Sequence, residues 1–270
     1  MKISVAMCTY NGEQFLKEQI DSILNQSVLV DEIIVCDDGS TDGTFAILKQ
    51  FTEKHPNLFK IYKNEENLGT IKNFEKAILL TTGDLIFLSD QDDIWKHNKV
   101  EIMSTFFKNQ PNCKLLFTNG DLINSDGEKL NSTLWDKWCF NQIMRENWRN
   151  NNTAFFDLLR NNNKITGATI CFHKKLKQCL PIFGFEFYYH DAFMGIHAAA
   201  QNALYYVDHS LIYYRLHSQQ QVGIANTMSL ERFMKQNPHT ITKEEFVRKI
   251  FKIYKIKKIR FLIKKIKMRF

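Results

Sequence analysis

Over roughly the first 125 residues, short apolar runs alternate with stretches in which apolar side chains return every third or fourth position. The runs KISVAMC, DEIIVC, LFKIYK, DLIFLS and KLLFTN have the length and β-branched content of buried strands. Between them, helices are predicted over 13–25, 44–51, 70–80 and 96–108; in the first, Phe15, Leu16, Ile20, Ile23 and Leu24 share a face. Strands separated by helices of this length mean βαβ units, a mainly parallel sheet and helices on both faces. Residues 125–163 break the alternation and read as a helical insertion with loop. Regular structure returns at KITGATICFHKKL, in a helix over 191–200, and in the strands ALYYVD and SLIYYR.

Ligands of such sheets bind beyond the carboxyl ends of the strands, and the polar residues collect there. CTYNGE follows the first strand, CDDGSTDGT the second and SDQDD the fourth. Three loops on one edge therefore carry Thr9, Tyr10, Asn11, Asp37, Asp38, Ser40, Asp42, Asp90, Asp92 and Asp93. Three aspartates leaving a buried strand repel one another, so a positive partner is expected. A solvated turn with a helix cap at Ile94 is the alternative.

Several ligand classes drop out by pattern. An EF-hand started at Asp38 would place Lys49 where a bidentate Glu is required. CTYNGE lacks the glycines of a dinucleotide loop, and no G-x-x-x-x-G-K-[ST] phosphate loop occurs. A phosphate ligand accompanied by a divalent cation remains: clustered carboxylates can hold Mg²⁺ or Mn²⁺, which then neutralises a diphosphate leaving group.

Four segments, SVAMCTYNGEQFLKEQIDSILNQS, DEIIVCDDGSTDGT, NEENLGTIKNFEKAI and FLSDQDDIW, resemble family 2 glycosyltransferases with the GT-A fold, continuously over residues 1 to about 110. FYYHDAFMGIHAAA and IYYRLHSQQQVG resemble the rhamnosyltransferase-like branch that builds bacterial O-antigen and capsule. The resemblance implies a Rossmann-like GT-A domain over 1–227, with a nucleotide-sugar half (1–110) and an acceptor half (111–227). It implies that Thr9 and Tyr10 line the nucleotide pocket and that Asp38, with Asp37 beside it, holds the base. Lys72 and Asn73 would reach the diphosphate. Asp92 and Asp93 would form the metal- and ribose-binding pair, with Asp90 a possible partner. His217 would be a further metal ligand or diphosphate contact, and Arg215 an anion contact. Asp191 would be the base of an inverting transfer, on the acceptor side and away from the metal carboxylates; a helix cap is its other reading. The donor would be a UDP- or dTDP-sugar and the acceptor a saccharide, lipid-linked.

Composition adds two constraints. The six cysteines form no C-x-x-C pair and read as reduced core thiols. The net charge of +7 resides in residues 248–270, which hold eleven basic and no acidic side chains; the remainder has 25 basic against 29 acidic. No nucleic-acid partner is expected for a body so charged. Residues 228–270 read as a helical basic tail. Within it Ile256, Ile259, Ile263, Ile266 and Phe270 form one stripe opposite Lys257, Arg260, Lys264 and Lys267, suited to an anionic membrane surface or to docking on the domain. With neither a secretory h-region nor an apolar run near 18 residues, a cytoplasmic protein, peripheral on the inner face of the membrane, is expected. A sugar-nucleotide pyrophosphorylase lacks its Gly-rich signature after strand one, and a non-catalytic membrane- or glycan-binding module leaves the carboxylates unexplained.

Overall fold

The computed structural model describes residues 1–160, 162–180, 189–218, 220 and 243–254. Their nine strands are β1 (Ile3–Thr9), β2 (Glu32–Asp37), β3 (Phe59–Lys63), β4 (Leu85–Ser89), β5 (Ile94–Trp95), β6 (Leu115–Ile123), β7 (Lys129–Thr133), β8 (Ile170–His173) and β9 (Leu204–Arg215). They form one sheet in the order β3-β2-β1-β4-β8-β6-β9-β5, with β7 paired to β6. The first half follows the predicted alternation: β1 (Ile3–Thr9), α1 (Leu16–Leu24), β2 (Glu32–Asp37), α2 (Thr44–Lys54), β3 (Phe59–Lys63), α3 (Gly69–Leu80) and β4 (Leu85–Ser89). Pairings among β1, β2, β3 and β4 are all parallel. Every residue of β1, β2 and β4 is buried, as expected of strands covered on both faces.

Beyond β4 the sheet becomes mixed. The two-residue β5 (Ile94–Trp95) pairs antiparallel with the last strand, β9 (Leu204–Arg215), placing Ile94 opposite Tyr213. α4 (Lys99–Asn109) leads into β6 (Leu115–Ile123), which runs parallel to β9. β8 (Ile170–His173) lies antiparallel between β4 and β6. The two runs ALYYVD and SLIYYR are one strand: irregular register after Phe117 and Asn119 absorbs the polar Asp208–Ser210 stretch.

The irregular stretch contains β7 (Lys129–Thr133) and the helices α5 (Leu134–Lys137), α6 (Gln142–Trp148) and α7 (Asn151–Leu159). Each helix starts at a side-chain cap, from Thr133, Asn141 and Asn150 respectively. What anchors them is aromatic: Trp135, Phe140 and Trp148 pack with Phe117 and Tyr206, at ring separations down to 5.1 Å.

α8 (His190–Ala199) packs on α7. The last described helix, α9 (Lys243–Ile253), also docks on the domain. Its Ile250 and Phe251 are buried, Phe251 lies 5.8 Å from Phe155, and Tyr254 Oη is 2.6 Å from His197 Nδ1. The tail reading therefore changes for 243–254, which is attached. The stripe from Ile256 to Phe270 and residues 228–242 lie outside the described residues. So does the 227/228 boundary. All six thiols are free, and five are buried. Among the described residues no helix is long and apolar enough to cross a membrane.

Candidate active site

A cleft opens at the carboxyl ends of β1, β2 and β4. It is lined by Cys8 and Thr9 at the end of β1 and Tyr10 just beyond it, Asp38 after β2, Thr70, Asn73 and Phe74 of α3, and Asp90, Gln91 and Asp92 after β4. Tyr214 and Gln220 close it from the far end of the sheet. Of the residues expected at a nucleotide, Thr9, Tyr10, Asp38, Asn73 and Asp92 line this cleft.

Asp37 and Asp38 hold the wall. Asp37 is fully buried and accepts hydrogen bonds from the Thr9 hydroxyl (2.9 Å) and from Ser40. It stands behind the cleft lining. Asp38 accepts from Asn64 Nδ2 (2.7 Å) and from the backbone N–H groups of Leu68 (2.8 Å) and Gly69 (2.9 Å). It thereby ties the start of α3 to β2, and its Oδ2, with one partner, retains acceptor capacity. Asn73 donates to Cys36 O and accepts from Asn64. Lys72 is exposed and outside the lining, one position along a helix whose buried face carries Asn73 and Phe74.

Gln91 was not anticipated. Its amide accepts from Tyr10 N–H (2.7 Å) and donates to Tyr10 O (3.0 Å), imitating a strand pair between two loops. A Cβ on Gly12 would come within 2.3 Å of Gln91 Oε1, so the glycine is what admits this clasp. A polar residue between aspartates at a strand exit was the available signal.

The three aspartates diverge. Asp92 Oδ2 lies 2.9 Å from His217 Nε2, and both side chains are largely buried; of the two, Asp92 lines the cleft. Asp93 turns inward: it is 1% exposed, its Oδ1 accepts Arg215 N–H (3.1 Å), and it does not line the cleft. Asp90 faces the cleft, where burial and then the charges of Asp92 and Asp191 push it up to about 7. Burial, with Asp92 and Asp90, also pushes Asp93 up.

Asp191 sits in the first turn of α8, two residues past the Tyr189 cap position, so it is not the helix cap. Burial raises it to about 7 against hydrogen bonds from Ala192 N–H, the Asn163 side chain and Gly167 N–H. It is not among the residues lining the cleft, although its charge reaches Asp90.

Arg215 is not an anion contact. It is fully buried, donating from Nε to Asp92 O (2.9 Å), from Nη1 to Ser125 O (3.1 Å) and from Nη2 to the Glu18 carboxylate. Its guanidinium also lies 4.6 Å from the Phe15 ring. With its fork consumed, it latches the aspartate loop to α1 and to the β6–β7 turn.

These residues fit a divalent cation in part. Asp92 and His217 already converge and are suitable donors for Mn²⁺, and a cation there would relieve the repulsion between Asp90 and Asp92. Among the described residues no three His, Cys, Asp or Glu side chains form a ready cage. Ligand oxygens would have to complete the coordination, as is usual where a metal arrives with a diphosphate.

A parallel α/β half whose strand ends frame a polar cleft, extended by a mixed half that brings in a second carboxylate, defines the class. Residues 4–171 match glycosyl transferase family 2, and the chain belongs to that family. It is 36% identical over 124 residues to the dTDP-rhamnosyl transferase RfbG of Shigella flexneri (44% of this chain, 40% of that one). It is 29% identical over 144 residues to the UDP-Glc:alpha-D-GlcNAc-diphosphoundecaprenol beta-1,3-glucosyltransferase WfgD of Escherichia coli (53% and 55%). The chain thus spans about half the length of these relatives. The fold is that of S. aureus TarS in complex with UDP-GlcNAc, with a TM-score of 0.61 and 17% identity over 93% of this chain and 73% of that one.

The latch reading of Arg215 gives a stability test. Arg215→Met strips several carbonyls of their donor, at roughly 1–3 kcal/mol for each that stays buried. The denaturation midpoint should fall clearly in the ligand-free protein. A variant as stable as wild type with weakened nucleotide affinity would restore the anion-contact role.

Proposed function

We propose that this chain is an inverting glycosyltransferase that moves a sugar from a UDP- or dTDP-linked donor to a bacterial surface glycan carried on a lipid diphosphate. The observation that carries the reading is the cleft at the strand ends: Asp92 in its lining meets His217, and the charge of Asp191, a carboxyl raised by burial to about 7, reaches Asp90 of the same lining. Family membership and the relatives' donors and acceptors support the substrate class.

The cleft wall of Tyr10, Asp38 and Asn73 receives the nucleoside, and the spare acceptor capacity of Asp38 suits the N3–H of a uracil or thymine. Asp92 and His217 would hold Mg²⁺ or Mn²⁺, with Asp90 beside them; the ion when bound supplies positive charge to the leaving diphosphate. Asp93 supports this set from beneath. Asp191 takes the proton of the acceptor hydroxyl as that oxygen attacks the anomeric carbon. A base near neutral combines a large ionised fraction with useful proton affinity. Asn163 and Gly167 N–H orient its carboxylate.

Calorimetry with UDP and dTDP, with and without Mn²⁺, tests the donor site. Asp92→Ala is preferred to a double variant, because Asp93 is a buried partner of the strand backbone. The single change should abolish the metal-dependent part of the affinity; undiminished Mn²⁺-dependent binding would remove Asp92 and the metal with it.

The base assignment separates chemistry from binding. Asp191→Asn should leave donor affinity near normal while transfer falls by ~10²–10⁴. Because the base must be ionised, wild-type kcat should rise with pH through about 7 and then level. The variant should lose that limb. Near-wild-type turnover by Asp191→Asn would exclude it as the base.

The membrane reading now concerns residues 255–270, which carry eight Lys and Arg and no acid. Ending the chain after Tyr254 should release it from vesicles rich in phosphatidylglycerol, and wild-type binding should weaken as salt rises. Full-length protein that ignores such vesicles at low salt would leave the segment without a membrane role.

A further inference from the structure

Lys99 opens α4 and is completely enclosed, although it is a lysine. Stripping an ammonium of water costs several kcal/mol, which an aliphatic side chain at this place would avoid. The position therefore requires what the ammonium does. Its Nζ donates to Ala168 O at 2.7 Å and stands 3.9 Å from the centroid of the Trp95 ring. Burial lowers it to about 7, and the charges of Asp93 and Asp90 act to keep it protonated.

Ala168 is the middle residue of a single 3₁₀ turn, Gly167–Thr169. The residue before it, Gly167, lies against His190, the chain neighbour of Asp191, and its N–H favours the ionised Asp191 carboxyl. The His190 ring stacks on Phe74 at 4.3 Å; a Cβ on Gly167 would lie 2.6 Å from His190 Nε2. The turn is thus gripped between α8 and α4, and on the α4 side Lys99 supplies a polar contact. One ammonium group touches the turn that orients the acceptor-side carboxylate while its charge faces the donor-side aspartates.

We propose that Lys99 is a positioning residue that couples the two sides of the active site: it fixes the Gly167–Thr169 turn, and through it the Asp191 carboxylate, relative to the loop from Asp90 to Asp93. This rests on the reading of Asp191 as the base. A bare countercharge for the aspartates would instead act on donor and metal affinity and would be indifferent to Asp191.

A double-mutant cycle in the full chain separates these roles. Lys99→Met, Asp191→Asn and the double variant are compared for kcat, donor KM and thermal midpoint, at a temperature where each is folded. Lys99→Met should lower kcat at least about tenfold with donor KM changed less than about threefold, and should cost almost nothing further in the Asp191→Asn background. Lys99→Gln, which keeps a donor for Ala168 O, should recover part of the loss; it replaces Lys99→Met in the cycle if that variant does not fold. Equal losses in both backgrounds, or a loss in donor KM alone, would overturn the coupling. Failure of the base reading shows separately, as normal turnover by Asp191→Asn alone.

Discussion

Four carboxylates crowd one end of the sheet, and the chain must keep them there without a matching layer of solvent. Two unit charges 4 Å apart interact by about 4 kcal/mol at an effective dielectric near 20. Removing each from water costs several more. Two of the chain's answers lie deep. Arg215 holds the backbone of the loop from beneath, and Lys99 faces Asp93 and Asp90 from α4. Neither cation reaches the cleft surface. The carboxylates on the cleft side thus remain undercompensated: burial and then the charges of Asp92 and Asp191 raise Asp90, while burial raises Asp191.

The same constraint explains the sheet. A loop so charged cannot be fixed by apolar packing, so it is sewn in by backbone. β5 adds two residues of pairing to β9, and the end of β9 and the residues after it bring Arg215 and His217 to the loop from 122 and 125 residues away. The mixed half is thus more than an appendage. Its last strand brings Tyr214 to the cleft and Arg215 to the aspartate loop, and α8 carries Asp191.

The first half was legible because its determinants are local. Apolar runs, helical periodicity and the DDGS and DQDD loops lie within tens of residues of one another, and their placement on one sheet edge follows from the βαβ pattern. The second half was legible only in pieces. Residues 125–163 are organised by Trp135, Phe140 and Trp148 meeting Phe117 and Tyr206, contacts that periodicity does not report. Arg215 was misread for the same reason: an arginine beside a predicted anion site has an obvious role, and its actual partners lie at Asp92, Ser125 and Glu18. Lys99 did leave a trace. It precedes Val100, Met103 and Phe107, so it lies within the buried stripe of α4, where a lysine is out of place.

Under the proposed reaction, Asp90 and Asp191 start at the same value, about 7, yet only one can serve as base. The causes of their elevation separate them. Asp90 is held up by burial but also by Asp92 next to it and by Asp191. Positive charge arriving beside Asp92 cancels part of that repulsion and favours ionised Asp90 as a fixed anion. Asp191 owes its elevation to burial alone, opposed by Asn163 and three backbone N–H groups. Covering the cleft with donor and acceptor deepens that burial and keeps its proton affinity near neutral. Loading the site thus drives the two carboxyls apart, one toward a permanent charge and the other toward proton exchange, which is how neighbouring acids come to hold different roles.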